Sequence, residues 1–248
     1  MRLGLGLAAI VTLASLGSLG AAEPTVVRAA RERKMPVIRE LFGAAKVAYP
    51  PATLLLRAFK QESAFELWAG DRDAPLVLVK SYPVCAKSGV LGPKRQRGDL
   101  QVPEGVYEIT AFNPTSDYHF ALGVSYPNES DRRLGGPGDL GGNIAVHGEC
   151  CTIGCIPLQN DPSEEVYLVA LDTYQAGHRP VVVHIFPMRM DATGVAALGK
   201  LAADAPPLLA FWRSLEPVYA TFESTRRLPR VSVDKQSGLY VVRSRSSR

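Results

Sequence analysis

Between His147 and Cys155 the chain reads HGECCTIGC. These nine residues hold one imidazole and three of the four cysteines in the sequence. Two chemistries use such a set. His147, Cys150, Cys151 and Cys155 could form a Cys3His zinc site. Alternatively, one thiol is a nucleophile and the histidine is the base that takes its proton. The adjacency of Cys150 and Cys151 counts against the metal, because both would have to turn inward together. Structural zinc sites more often draw two spaced pairs of ligands. No metal is therefore expected. The nucleophile reading suits the local chain. His147 ends the apolar run NIAVHG, a short buried strand that would hold the ring rigidly. Gly148 and Gly154 permit sharp turns that bring the two ends together. Cys155 then lies on a turn before a helical region, where backbone N–H groups could steady an oxyanion. A plainer reading stays open, in which Cys155 is buried or disulfide-bonded and His147 is a satisfied core residue.

The elements around this cluster must position it. Helical spacing runs from about Val26 to Lys46, with Val37, Leu41, Ala44 and Ala45 as its apolar positions. Pro36 predicts two short helices there, or one that starts late. Strands are expected at TLLLRAFK from Thr53, SAFELWAG from Ser63 and PLVLVKSYPVC from Pro75. Lys87 to Pro103 reads as a long surface loop rich in Gly, Lys, Arg and Pro. GVYEITAF from Gly105 and YHFALGVSYP from Tyr118 add two strands, and a glycine-rich loop from Arg133 to Gly142 leads into NIAVHG. After Cys155, Asp161 is the expected N-cap of a helix, with Pro162 at its first position and Glu164 completing a capping box. A strand from Pro180 follows, then helices from about Ala192 to Ala203 and Leu208 to Arg226, kinked at Pro217. The chain closes on a hairpin, VSVDKQSGLYVV. This order predicts an α+β fold, with a mainly antiparallel sheet core and helices at both ends. His178 and His184 read as structural or exposed, and Asp117 and Asp131 as turn caps.

The 248 residues, 46% apolar and 21% charged, are those of a globular protein. The start, MRLGLGLAAIVTLASLGSLGAAEP, has the layout of a secretory signal peptide cleaved after Ala22. An uncleaved membrane anchor is the alternative. The net charge of +4 falls by one when Arg2 leaves with the leader. Basic residues are scattered and no nucleic-acid motif occurs, so nucleic acid is not an expected partner.

IAVHGECCTIGCIPL resembles the signature of the YkuD-type L,D-transpeptidase family, and in particular its YafK-like branch. That signature has an apolar strand, His-Gly, a cysteine two residues later, and Ser/Thr-x-Gly-Cys. The blocks LLLRAFKQESAFELWA, YPVCAKSGVLGPKRQRGDLQVPEGVYEI, FNPTSDYHFALGVSYPN and TRRLPRVSVDKQSGLYVV resemble the same branch, in family order. The resemblance implies a sandwich-like catalytic core over residues 53–190. It would be preceded by a signal peptide over 1–22 and a helical segment over 23–52, with helices and a hairpin over 191–248 packed on it. It implies Cys155 as nucleophile, His147 as base, the Gly148 carbonyl as orienter of the ring, and Thr152 in place of the motif serine, next to Gly154. Cys85 and Cys150 match cysteines frequent in the branch, and their pairing as a disulfide is expected. Cys151 has no counterpart. Ile153 and Pro157 replace the second histidine and the polar residue after the cysteine in the wider family. The implied reaction is transpeptidation of diaminopimelate-containing peptidoglycan stem peptides in the periplasm, without a cofactor. Lys94, Arg95, Arg97, Tyr118 and His119 are the candidate substrate-binding residues. A thiol hydrolase acting on cross-links or on a wall-linked lipoprotein is the alternative within the family. A non-catalytic, disulfide-bonded wall-binding protein is the alternative outside it.

Overall fold

The computed structural model describes residues 22–243. Apart from Ala22, the expected signal peptide lies outside the described residues. The chain runs as helix α1 (Thr25–Ala45), strands β1 (Thr53–Phe59), β2 (Ala64–Gly70), β3 (Val77–Pro83), β4 (Gly105–Asn113) and β5 (Ala121–Val124), and helix α2 (Glu129–Leu134). Strands β6 (Ala145–His147) and β7 (Ile156–Pro157), helix α3 (Asn160–Gln175), strand β8 (Val182–Phe186), helices α4 (Ala192–Leu201) and α5 (Pro206–Thr225), and the hairpin β9 (Arg230–Val233) and β10 (Tyr240–Arg243) follow.

Eight strands form one sheet in the order β3-β2-β1-β8-β4-β5-β6-β7. It is α+β, as the sequence predicts, but the sheet is mixed. β8 enters between β1 and β4, parallel to the first and antiparallel to the second. β6 and β7 are also parallel. β4 belongs to both halves. Gly105 to Glu108 pair with β8, and Ile109 to Asn113 pair with β5, with a register shift between Ile109 and Ala111. Such an irregularity bends a strand, and here it carries the chain from the central sheet toward the strands of the cysteine cluster.

β1 and β8 are covered on both faces, so almost every residue in them is buried. Leu54, Leu56, Val183 and Ile185 pack with residues of α1 and α3. Phe59 and Phe186, on the other face, pack with Phe211, Trp212 and Leu215 of α5. Arg57 is fully buried on that second face. It pairs with Glu223 at 2.8 Å and Glu66 at 3.4 Å, and lies 4.5 Å from the ring of Phe222.

Three local expectations need correction. α1 is one continuous helix with Pro36 inside it. An interior proline costs about 3 kcal/mol, which the burial of Ile38 and Phe42, about 1.5–3 kcal/mol each, offsets. The buried stripe is Val27, Ala30, Lys34, Ile38 and Phe42, while Val37 is exposed. The N-cap of α3 is Gln159, without a side-chain bond, so Asp161 already lies in the first turn and pairs with Lys34 at 2.7 Å. Glu164 closes no capping box. It accepts instead from Arg33.

Candidate active site

The two chemical groups come from adjacent parallel strands. Val146 pairs with Ile156 and His147 with Pro157, so Cys155 stands one step before the ladder, level with Ala145. Residues opposite in a ladder share a face, and residues two apart on one strand share it too. His147 and Cys155 are therefore diagonal neighbours on one face, with Cα atoms roughly 7–8 Å apart by that geometry. Both line one cleft, together with Tyr118 and Cys151.

His147 is 2% exposed and fixed at several points. Its Nδ1 makes a short hydrogen bond with the Gly148 carbonyl, which as an acceptor selects the Nδ1–H tautomer and leaves Nε2 with its lone pair. Its own carbonyl accepts from Leu158 N at 2.7 Å. The Tyr118 ring lies 5.1 Å away. Burial pushes the imidazole pKa down, against the pull of the Gly148 carbonyl and Glu149. Gly148 has no room for a side chain: a Cβ there would sit 2.6 Å from Asn160 Oδ1 and 2.9 Å from His119 Cβ.

The turn before Cys155 is closed by Thr152. Its hydroxyl donates to the Cys155 carbonyl at 2.8 Å and accepts from Gly154 N at 3.0 Å. The Gly154 amide is thus engaged in the turn. Gly154 has φ +139°, and a Cβ there would meet the Gln101 carbonyl at 3.0 Å. The Cys155 sulfur is half-buried, 3.6 Å from the Asn143 carbonyl. Burial pushes its pKa up, opposed in part by a backbone hydrogen bond with Ala145 and by the charge of Lys94. Both shifts favour the neutral forms, a thiol beside an uncharged imidazole.

The four cysteines divide into two kinds. Cys85 and Cys150 form a disulfide with Cα atoms 5.4 Å apart, tying the segment after β3 to the turn after His147. Cys151, exposed, and Cys155 are free. With Cys150 so bonded, the Cys3His set is not available to a metal.

The basic loop splits three ways. Lys94 lines the cleft but is 4% exposed, donating to Asp99 at 2.6 Å and to the Gln96 carbonyl at 2.8 Å. Arg97 is exposed on the rim and paired with Asp139. Arg95 does not reach the cleft. It turns inward to Asp131 at 2.8 Å and lies 4.9 Å from the Phe211 ring, because a buried carboxylate needs a cation. His119 is likewise displaced from the role expected of it. Its Nε2 is 3.0 Å from Glu164 Oε1, and its carbonyl accepts from Gly148 N at 2.7 Å, so it supports the turn from behind. Asn143 and Asn160 went unread in the sequence, as did Leu100 on the cleft wall. Isolated amides and leucines in loops carry no spacing signal. Among the described residues no helix is long and apolar enough to cross a membrane.

No family profile matches the chain. The Escherichia coli K12 protein named "Putative L,D-transpeptidase YafK" is 34% identical over 190 residues, covering 75% of this chain and 72% of that protein. A strand-borne His-Gly beside a turn-borne cysteine is thus set in a chain that belongs to the L,D-transpeptidase family, in its YafK-like branch. Among solved structures, the helical cell shape determining protein Pgp2 from Campylobacter jejuni aligns with a TM-score of 0.46 and 21% identity, over 74% of this chain and 73% of that one. L,D-transpeptidase 1 from Mycobacterium tuberculosis aligns with a TM-score of 0.30 and 13% identity, over 54% and 61%.

Proposed function

We propose that the protein is an exported cysteine acyltransferase acting on peptidoglycan stem peptides, with Cys155 as nucleophile and His147 as base. The observation that carries this reading is the shared face of the β6–β7 ladder, with a free thiol, and an imidazole whose tautomer leaves Nε2 able to accept, in one cleft. The thiol proton passes to Nε2 as sulfur attacks a peptide carbonyl carbon next to a diaminopimelate centre. The C–N bond then breaks, the imidazolium returns the proton to the leaving amine, and a thioester remains. A second amine attacking that thioester gives a new amide and frees the thiol. Water in its place gives a carboxylate. No cofactor takes part in these steps. Export through the leader would deliver the enzyme to the periplasm, where its substrate lies.

Hydrolysis deserves weight for one reason. Pro157 offers no donor to a substrate carboxylate, Arg95 is committed to Asp131, and Lys94 to Asp99. Arg97 is paired with Asp139 as well, but both are exposed, so it is the one of the three within reach of a free carboxylate, in exchange for that pair. A substrate without one, such as an existing cross-link or a lipoprotein joined to the wall through its C-terminus, suits that arrangement. The test is incubation of wild-type protein and the Cys155→Ala and His147→Ala variants with monomeric tetrapeptide muropeptides and with cross-linked or protein-linked sacculi, followed by mass analysis. Cys155→Ala is expected to be inactive, and His147→Ala to lose about 10²–10⁴-fold. New 3–3 dimers with untouched linked material would leave transfer as the reaction. Full activity of Cys155→Ala would end the proposal.

A further inference from the structure

The segment from Lys87 to Val102 borders Cys155 on two sides. Val90 and Val102 line one cleft beside the thiol. Arg97 and Leu100 line the other. The segment also touches the Thr152–Cys155 turn, through the Gln101 carbonyl against Gly154. It contains neither helix nor strand of its own. Asp99 holds its middle, accepting from the N–H groups of Arg95, Gln96 and Gln101, and a buried carboxylate just beyond the segment holds Gly92 and Val102. Glu104 is wholly buried. Its Oε1 accepts from Gly92 N at 2.8 Å and from Lys60 Nζ at 2.9 Å. Its Oε2 accepts from the indole Nε1 of Trp212 at 2.7 Å. Lys60 uses its other two donor positions on the carbonyls of Gly92 and Val102, at 2.7 and 3.0 Å. Gly92 and Val102 are thus tied to one buried ion pair, and that ion pair is tied to α5. Phe211, the neighbour of Trp212, makes the second contact, under the Arg95 guanidinium.

We infer that Trp212 and Glu104 are positioning residues, through which α5 sets the place of segment 87–102 and hence the shape of both clefts beside Cys155. The inference rests on the reading of Cys155 as nucleophile. Its physical basis is the cost of leaving a buried anion short of a donor. Without the indole N–H, Oε2 is left unpaired where water does not reach. Lys60, its partner, lines the first cleft, so relief comes by moving the Gly92–Val102 segment outward.

Trp212→Phe keeps a packed ring and removes the N–H. In a Cys151→Ser background Cys155 is the free thiol, and its alkylation is timed with iodoacetamide and with a polyethylene-glycol maleimide. KM and kcat for a tetrapeptide donor and the melting midpoint are measured on the same samples. The maleimide-to-iodoacetamide rate ratio is expected to rise about tenfold, the lower end of what one lost hydrogen bond to a charged group produces. KM for the donor is expected to rise by about the same factor, with kcat within about twofold. Phe211→Leu, which keeps the Glu104 bonds, should move both in the same direction, and it serves alone if Trp212→Phe does not fold. A lowered melting midpoint with unchanged reagent ratio and unchanged KM overturns the inference. If wild-type protein transfers no peptide yet the reagent ratio moves, the reading of the reaction fails and the positioning role stands.

Discussion

The protonation state of the resting site can be tested through its rate of alkylation. In the Cys151→Ser variant Cys155 is the remaining free thiol. An ordinary cysteine, with a pKa of about 8.5, is roughly 3% thiolate at pH 7. Burial moves Cys155 above that value, and the charge of Lys94 reverses this only in part. Burial pushes the His147 pKa down, which disfavours the cation that would stabilise a thiolate. The thiolate fraction of Cys155 at neutral pH is therefore expected to fall below that of an ordinary cysteine and to grow tenfold with each pH unit. Stopped-time alkylation with iodoacetamide should accelerate about 100-fold between pH 6 and pH 8. The wild-type protein should show exposed Cys151 reacting ahead of Cys155. A thiolate–imidazolium pair would behave differently, with a rate nearly flat over the same range. A flat profile would refute the neutral resting pair and the assignment of proton transfer to the moment of attack.

Three further outcomes follow from named contacts. Gly148→Ala should destabilise the protein by about 1–3 kcal/mol, since its Cβ would overlap Asn160 and His119. It should also lower kcat by displacing the carbonyl that orients His147, with urea denaturation and turnover reporting the two effects. Reducing the Cys85–Cys150 disulfide, whose partners are 65 residues apart, should cost about 4 kcal/mol on the chain-entropy account; denaturation with and without reductant checks it. Burial and the nearby Arg57 push the His184 pKa down to about 3, whereas an unfolded imidazole titrates near 6.5. The unfolded chain then binds the proton first, so stability is complete above pH 6.5 and falls as pH drops toward 3. The loss is about 2 kcal/mol at pH 5, and His184→Leu should show a correspondingly flatter dependence in denaturant titrations at pH 8 and pH 5.

Much of the fold is legible because its strands are short and apolar and its turns carry Gly, Pro or acidic residues. β1, β2, β3, β4 and β8 fall where their β-branched and aromatic runs lie. The parallel union of β1 with β8 is not legible, because register between distant strands leaves no local mark. β7 has two residues and α2 six, too few for any period. Within the candidate site, HGECCTIGC discloses the Cys–His pair, whereas the face the two share is set by the β6–β7 register. The loop KRQR does not disclose that Lys94, Arg95 and Arg97 point to three different places. Their directions are set by Asp99, Asp131 and Asp139, whose positions depend on the folded chain. Glu104 reads locally as part of a Pro-Glu-Gly turn, and its partners Lys60 and Trp212 lie far away in sequence.

The insertion of β8 between β1 and β4 has a consequence for how the molecule is made. Until the chain has extended past residue 186, the β1–β3 meander and the β4–β7 unit have no common strand. Each presents an open edge, of β1 and of β4, with unpaired backbone groups along an apolar run. Such edges invite pairing with other chains, and a contact spanning more than half the sequence is slow to form. A chain delivered incomplete, or cut before β8, would be left with two sticky half-sheets. Its cysteine cluster would then be free to cross-link at random, and the yield of native protein would depend on keeping the halves apart until the last central strand arrives.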